Sequence, residues 1–164
     1  MSTFDPERIL RALSDRDVRY VLVGATAARL QGFPRLTAGA DITPARDSEN
    51  LERLAASLRD LRARVYTESV PEGLPFTCDA ATLARAKLWN LITDAGRVDI
   101  IFEPSGTRGF EDLVRSAVTF RAFGVELRAA RLEDILRSKQ ASRRPQDQQD
   151  AIVLREMLKR PHGA

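Results

Sequence analysis

The residue types that could carry chemistry in this 164-residue chain are few. There is one cysteine, Cys78, and one histidine, His162, near the end of the sequence. These counts exclude a disulfide within the chain and a structural zinc site, which takes four cysteine or histidine ligands. They also disfavour a catalytic dyad or triad built on a histidine base. The candidates that remain are carboxylates, lysine and arginine, acting with a hard cation.

A first candidate site is the run Val23-Gly24-Ala25-Thr26, where an apolar strand passes through a glycine into a helix. The free backbone N–H groups at such a junction, with the positive end of the helix dipole, favour phosphate binding. Many strand-to-helix turns contain glycine only because the backbone needs a positive φ. The run alone therefore leaves both interpretations open.

A second candidate is Asp41, near the end of a predicted strand over residues 37–43. Residues 37, 39 and 41 share one face of such a strand. Aspartate is depleted in strands, so its presence beside the apolar Ile42 favours a functional role. The alternative is an aspartate that caps a turn before Pro44.

A third candidate is Asp99, which lies between Val98 and Ile100 in an apolar strand. If its two neighbours face the core, the Asp99 side chain points to the opposite face, where a carboxylate from another strand can lie nearby. A carboxylate within a β-branched run costs desolvation unless it is paired or binds a metal.

The elements that must position these residues follow from hydrophobic periodicity and turn signals. The pattern predicts helices over 5–15, 25–31 and 110–115, one capped by Ser48, one containing Leu132 and one beginning at Pro145. It predicts strands over 20–23, 37–43 and 64–66 and two hairpins, 88–93 with 97–102 and 118–123 with 125–128. This order predicts an α+β fold, a mixed sheet with flanking helices and a helical C-terminal part.

With these motifs in place, the sequence resembles the nucleotidyltransferase superfamily that includes DNA polymerase β. Within it, the runs 21–32 and 34–37 are most similar to the AbiEii-like and MenT-like toxin nucleotidyltransferases. The hairpin that ends in Val98-Asp99-Ile100 matches the strand carrying the third carboxylate of the superfamily, and 132–139 and 144–150 match the Lys and Asp motifs of the toxin branch. The resemblance covers about residues 15–158. It divides the chain into a nucleotidyltransferase core over 1–128 and a helical segment over 129–164.

The resemblance implies Mg²⁺-dependent transfer of a nucleoside monophosphate from an NTP to an acceptor. Asp41 would be catalytic and, with Asp99, would bind the metal. Lys139 would neutralise phosphate charge or assist the acceptor, and Asp147 or Asp150 would orient Lys139 or help to activate the acceptor. The nucleotide-binding residues implied are Gly24, Ala25, Thr26, Arg35 and Arg46.

Each residue of this second group also has a plainer interpretation. Lys139 can be an ordinary solvated lysine of a helix. Asp147 and Asp150 can be acidic residues that a helix N-terminal turn favours through the dipole.

The sequence departs from the superfamily at two positions. The turn has Gly24-Ala25 where Gly-Gly or Gly-Ser is usual. Gly39 stands where the superfamily has a carboxylate, or in some toxin relatives a hydroxyl, two residues before the conserved aspartate. Thr37 lies on the same face but one step away. The second departure removes one of three ligands and brings two-metal catalysis into question.

The charge balance indicates partners with phosphate groups. The net charge is +3, and only three of the 26 basic residues are lysines, so the rest are arginines. Arginine binds phosphate with two parallel hydrogen bonds, although an arginine-rich proteome explains the same count. The leading hypothesis is a toxin that acts on RNA at tRNA 3′ ends, with an antitoxin protein as a possible partner.

Two other functions stay open: a catalytically degenerate nucleotide-binding or interaction module, which Gly39 favours, and a regulatory partner or antidote. No apolar run approaches the roughly 18 residues of a membrane span, and no signal peptide opens the sequence. We therefore expect a cytoplasmic protein without a membrane partner.

Overall fold

One β-sheet with helices packed around it forms the fold. The structure is a computed structural model that describes residues 3–34 and 37–160. The strands are β1 (Tyr20–Leu22), β2 (Gly39–Pro44), β3 (Arg64–Val65), β4 (Leu88–Thr93), β5 (Gly96–Ile101), β6 (Val118–Ala122) and β7 (Val125–Ala129). The helices are α1 (Pro6–Asp15), α2 (Gly24–Leu30), α3 (Ser48–Asp60), α4 (Ala80–Leu83), α5 (Phe110–Leu113), α6 (Leu132–Ala141) and α7 (Pro145–Lys159). The predicted nucleotide contact Arg35 and the lone His162 lie outside the described residues.

The seven strands form a mixed sheet in the order β3-β4-β5-β2-β1-β7-β6. The neighbours β2 and β5 are parallel, as are β1 and β7, and the other pairs are antiparallel. The predicted α+β class, with a mixed sheet and flanking helices, is therefore confirmed. Because β2 and β5 lie side by side, residues far apart in the sequence meet at the centre of the sheet.

The core consists of apolar side chains that alternate along the strands and repeat along the helices. On α3, Leu54 and Leu58 are fully buried one helical turn apart, and Ile42 and Ile100 are fully buried on the central strands. Burial of one such side chain contributes about 1.5–3 kcal/mol relative to exposure. The central strands are thus fixed in position by the helices that cover them.

Several predicted boundaries differ from the structure by one or two residues. The N-cap of α3 is Asp47, not Ser48, because the Asp47 side chain accepts a hydrogen bond from the N–H of Asn50. The strand predicted over 37–43 begins at Gly39, and the Thr37 hydroxyl hydrogen-bonds to the Gly39 carbonyl oxygen. The short helix α4 was not predicted. The proposed boundary after residue 128 falls inside β7, and the division into two parts stays a prediction.

Candidate functional site

The two aspartates singled out in the sequence lie side by side on the central parallel strands. Asp41 of β2 is the register partner of Asp99 of β5. Ala40 and Ile42 are buried on one side of β2, so strand alternation turns Asp41 to the other side. Val98 and Ile100 are likewise buried on one side of β5, so Asp99 also points to the other side. Both carboxylates line one cleft.

The environment of Asp41 disfavours its negative charge. Burial, and then the charge of Asp99, raise the pKa of Asp41 to about 6, against the opposing effects of Lys139, the Thr26 backbone and Arg97. Among the described residues, no cation forms an ion pair with Asp41 within 4 Å. Two adjacent carboxylates with incomplete compensation are arranged as a binding site for a cation.

Among the residues that the structure describes, the basic partner of Asp99 is Arg97, two residues earlier on the same face of β5. The guanidinium Nη2 lies 3.2 Å from Asp99 Oδ1, and the guanidinium carbon lies 3.8 Å from the centre of the Tyr66 ring. Burial raises the pKa of Asp99, and the charge and hydrogen bond of Arg97 oppose that rise. Arg97 therefore compensates only part of the negative charge of the pair.

The turn before α2 approaches Asp41 closely. Gly24 has a φ of +59°, and a Cβ built on it would lie 2.8 Å from Asp41 Oδ2. No side chain caps this helix. Thr26 fixes the turn to β2, since its hydroxyl donates to the Gly39 carbonyl oxygen and accepts from the Asp41 N–H. Glycine at position 24 is thus required both by backbone conformation and by the nearby carboxylate.

Gly39 lies beside Arg97 across the same pair of strands. A Cβ on Gly39 would lie 2.6 Å from the Arg97 Cβ and 2.8 Å from the Arg97 carbonyl oxygen. Such distances leave no space for a side chain. The carboxylate missing from this position is therefore excluded by the spacing of β2 and β5.

A second ionic cluster, centred on Lys139 of α6, faces the aspartate pair. The Lys139 Nζ lies 2.7 Å from Asp147 Oδ1 and 3.3 Å from Asp150 Oδ2, and all three side chains are largely buried. Asp147 and Asp150 lie three residues apart in the first part of α7, so both face α6. The plainer interpretation of Lys139 as a solvated lysine does not describe a side chain that is 17 % exposed.

Asp147 is held in its ionised form. Burial alone would raise its pKa, but hydrogen bonds from Lys139 and Ser142, with the charges of Lys139 and Arg144, lower the pKa below the usual range. The Ser142 hydroxyl lies 2.5 Å and Arg144 Nε 3.2 Å from Asp147 Oδ2. Asp150 accepts a further hydrogen bond from Gln146. The carboxylates of Asp147 and Asp150 thus hold Lys139 in place, and Asp147 also holds the turn between α6 and α7.

The two clusters share one cleft of about 530 Å³ between the sheet and the helices α6 and α7. Seven predicted site residues line it, namely Gly24, Ala25, Asp41, Asp99, Lys139, Asp147 and Asp150. Thr26 does not line the cleft, because its hydroxyl is hydrogen-bonded to the backbone of β2. The volume is in the range of small-molecule sites.

Arg46, expected to bind nucleotide, lies elsewhere. Its guanidinium stacks 4.4 Å from the centre of the Phe102 ring and donates to the carbonyl oxygen of Ala84. It is absent from the residues that line the cleft. Tertiary packing after β2 turns this side chain away, so the prediction for Arg46 finds no support in the arrangement of the described residues.

Sequence reasoning missed three polar residues near the aspartates. Arg97 pairs with Asp99, Asn90 of β4 is the register partner of Asp99 and lines the cleft, and Asp134 of α6 lines it from the opposite side. The spacing of Arg97 and Asp99, two residues apart in a strand, was the signal that could have found Arg97. Asn90 carried no comparable local signal.

The donor set fits Mg²⁺ as a cation shared with a ligand. In the described ranges, no group of three or more histidine, cysteine, aspartate or glutamate residues is arranged to hold a metal ion. Mg²⁺ is commonly bound through one or two carboxylates together with phosphate oxygens of a substrate. Asp41 and Asp99 supply such a pair, so the residues fit a cation that arrives with a phosphate ligand.

The sheet and its flanking helices form a nucleotidyltransferase-like α+β fold. A solved structure with this architecture is that of a protein from Thermotoga maritima assigned as a nucleotidyltransferase, with a TM-score of 0.53 and 21 % identity over 94 % of each chain. This likeness shows the fold. No protein-family model matches the chain, and neither does any curated protein. None of the helices in the described part is long and apolar enough to cross a membrane.

Proposed function

We propose that this protein is a Mg²⁺-dependent nucleotidyltransferase that moves a nucleoside monophosphate from an NTP to an acceptor. The observation that carries the proposal is the register pairing of Asp41 with Asp99 at the base of a cleft. Two half-buried carboxylates side by side repel each other unless a cation joins them. The nucleotidyltransferase-like fold supports the same activity.

In the proposed site, Asp41 and Asp99 hold the cation. Mg²⁺ held there would supply positive charge that stabilises the negative charge developing on the phosphate in the in-line displacement. The reaction forms a bond between an acceptor oxygen and the α-phosphorus and breaks the bond from that phosphorus to pyrophosphate, while the acceptor releases a proton. The chain contributes the orientation of the triphosphate and the compensation of its charge.

The turn at Gly24 and Ala25 is the proposed contact for the triphosphate. Both residues line the cleft, and Gly24 lies against Asp41. Since residue 24 has no side chain, phosphate oxygens can approach the backbone and the carboxylate together. Thr26 supports this contact through its two hydrogen bonds to β2.

Lys139 is proposed to neutralise phosphate charge on the opposite side of the cleft. Its ammonium group is fixed by Asp147 and Asp150 at 2.7 and 3.3 Å. This geometry supports a role for both Asp147 and Asp150 in orienting Lys139. A lysine held in this way contributes a charge whose position is set before the substrate binds.

We further propose that the acceptor is RNA, at a tRNA 3′ end, and that the protein acts as a toxin controlled by an antitoxin protein. The resemblance of the Lys139 and Asp147 motifs to the toxin branch supports this, as does the arginine-rich composition. Arginine contacts to phosphate supply the sequence-independent part of the affinity for nucleic acids.

The transfer reaction is tested by incubating the protein with Mg²⁺, each α-labelled NTP in turn and total RNA. We expect label in RNA with at least one NTP, and a loss of 100-fold or more in the variants Asp41→Asn and Asp99→Asn. Asp60→Asn is the matched control, because Asp60 is an exposed surface carboxylate paired with Arg16. Absence of label with every NTP would refute the transferase.

The toxin role is tested by expression in cells. Growth arrest that Asp41→Ala relieves and Asp60→Asn does not is the expected result. Fractionation of labelled RNA then identifies the acceptor, and label in species other than tRNA would correct the acceptor alone. Normal growth on expression of active protein would refute the toxin role.

A second candidate is a nucleotide-binding module without transferase activity. The observation that favours it is the pair Gly39 and Arg97, because a glycine replaces one carboxylate and a guanidinium engages another. This module would bind an NTP in the cleft and transfer nothing. NTP binding by calorimetry together with no label transfer is the result that selects it.

A further inference from the structure

One positive charge beside the site has no counterpart in the two-cation arrangement of nucleotidyl transfer, namely the guanidinium of Arg97, which pairs with Asp99 but is not among the residues that line the cleft. It lies beside Asp99 at 3.2 Å, on the face of β5 that carries the carboxylate. Arg97 is also the register partner of Gly39, the position at which the superfamily has a carboxylate two residues before the conserved aspartate. The position without a carboxylate, Gly39, and the position with an additional positive charge, Arg97, are thus neighbours on adjacent strands.

The close spacing of β2 and β5 leaves no space for a carboxylate side chain at position 39. A Cβ at position 39 would meet both the Arg97 Cβ at 2.6 Å and the Arg97 carbonyl oxygen at 2.8 Å. The second of these contacts involves backbone and does not depend on the side chain at position 97. A carboxylate therefore cannot be added at position 39 without moving β2 relative to β5.

Arg97 is fixed in its place. Its guanidinium stacks on Tyr66 at 3.8 Å and donates to Asp99, and no residue of the described ranges accepts a hydrogen bond from its buried Nε. Stacking on an aromatic face together with an ion pair holds a guanidinium in one orientation. The positive charge beside Asp99 is thus a constant feature of the site.

We propose that the guanidinium of Arg97 takes the place of a second divalent cation, so that the cleft binds one divalent cation per chain, on Asp41 and Asp99. This inference rests on the proposed function. The formal charges agree with it, since the two carboxylates and Arg97 sum to one negative charge, and the ammonium of Lys139 is engaged by Asp147 and Asp150. One divalent cation already reverses that charge, so the carboxylate pair with Arg97 beside it has no negative charge left for a second ion. Arg97 acts through Asp99 and is a positioning residue.

The proposal predicts effects of opposite sign in Arg97→Gln. Mn²⁺ alone should bind about tenfold more tightly, because a like charge beside its ligand is removed. ATP, GTP, CTP or UTP in EDTA should bind about threefold more weakly, because a positive charge beside Asp99, at the margin of the cleft, is lost. Arg97→Lys keeps the charge and should restore both values. A partly unfolded variant would weaken both ligands, so folding defects cannot produce this pattern.

The experiment is calorimetry of the full chain with MnCl₂ and separately with each of the four triphosphates in EDTA. Arg121→Gln is the matched control, because Arg121 is an exposed arginine of β6 at the far edge of the sheet. We expect one Mn²⁺ per chain in the wild type, in Arg97→Gln and in the control.

Two bound Mn²⁺ ions in the wild type, or an unchanged Mn²⁺ affinity in Arg97→Gln, would overturn the inference while label transfer by the wild type keeps the proposed function. If neither Mn²⁺ nor any triphosphate binds and no label is transferred, both fail together. These outcomes separate the two proposals.

Discussion

Gly24 lies so close to Asp41 that a single methyl group at residue 24 would contact the carboxylate at 2.8 Å. The contact joins the turn that begins α2 to the centre of the sheet. Asp41 therefore has a backbone turn on one side and Asp99 on the other. The position of the carboxylate is determined by both.

Gly24→Ala tests that contact. The alanine must adopt a φ of +59° and displace Asp41, so we expect a loss of about 2–3 kcal/mol in the free energy of unfolding. Label transfer should fall at least tenfold, because the carboxylate moves. Urea denaturation and the transfer assay measure the two effects.

Gly124→Ala is the matched control. Gly124 also has a positive φ, +75°, but its built Cβ meets nothing nearer than Arg11 at 4.0 Å. It should lose about 1 kcal/mol and keep its transfer activity. Equal losses of activity in the two variants would contradict a specific contact between Gly24 and Asp41.

The stability of the metal-free protein should depend on the protonation of Asp41. Its pKa is raised to about 6 in the folded state from 3.8. Between these values the folded state binds more protons than the unfolded state, so stability decreases as pH rises from about 4 to 6. The penalty is on the order of 3 kcal/mol above pH 6. Asp41→Asn should remove it.

Urea denaturation of Asp41→Asn and the wild type in EDTA from pH 4 to 8 measures this effect. The variant should gain little at pH 4 and most at pH 7 and above. Asp60→Asn, at an exposed ion pair, should change stability by no more than about 0.5 kcal/mol. A gain that is constant with pH would contradict the proposed origin in the charge of Asp41.

The same residues indicate what the sequence could and could not predict. Asp41 and Asp99 were found because strand alternation is local, and a polar residue between apolar neighbours is visible in the sequence. Their pairing, and the contact of Gly39 with Arg97, depend on which strands are neighbours and in which register. Register between strands some 60 residues apart has no local signal, so the reason for Gly39 was not apparent from the sequence.

Thr26 should be important for the geometry of β2 because its hydroxyl bonds both to the Gly39 carbonyl oxygen and to the Asp41 N–H. Thr26→Val keeps the shape and removes both bonds. We expect a loss of about 1–2 kcal/mol in stability, since the Asp41 N–H loses the Thr26 hydroxyl, whereas the Gly39 carbonyl oxygen keeps the Thr37 hydroxyl. Thermal denaturation measures this loss, and Thr26→Ser, which keeps the hydroxyl, should recover most of it. Equal losses in both variants would contradict a role for the hydroxyl.

Lys139 should be the lysine on which stability depends most. Lys139→Met leaves Asp147 and Asp150 largely buried without their shared cation, and removal of one partner from such a cluster costs about 3–5 kcal/mol. Lys159→Met is the matched control, because Lys159 forms only an exposed pair with Glu156 and should lose less than 1 kcal/mol.

The dependence on pH identifies the cause of the Lys139 effect. The pKa of Asp147 is lowered in the folded wild type, so its contribution is present above the ordinary pKa and is lost as pH falls through the folded value. The difference between wild type and Lys139→Met should therefore shrink when urea denaturation is repeated at pH 3–4, where Asp147 accepts a proton in the unfolded chain. A difference that stays the same at pH 3 and pH 7 would show that Lys139 stabilises the fold by packing of its alkyl chain and not by charge.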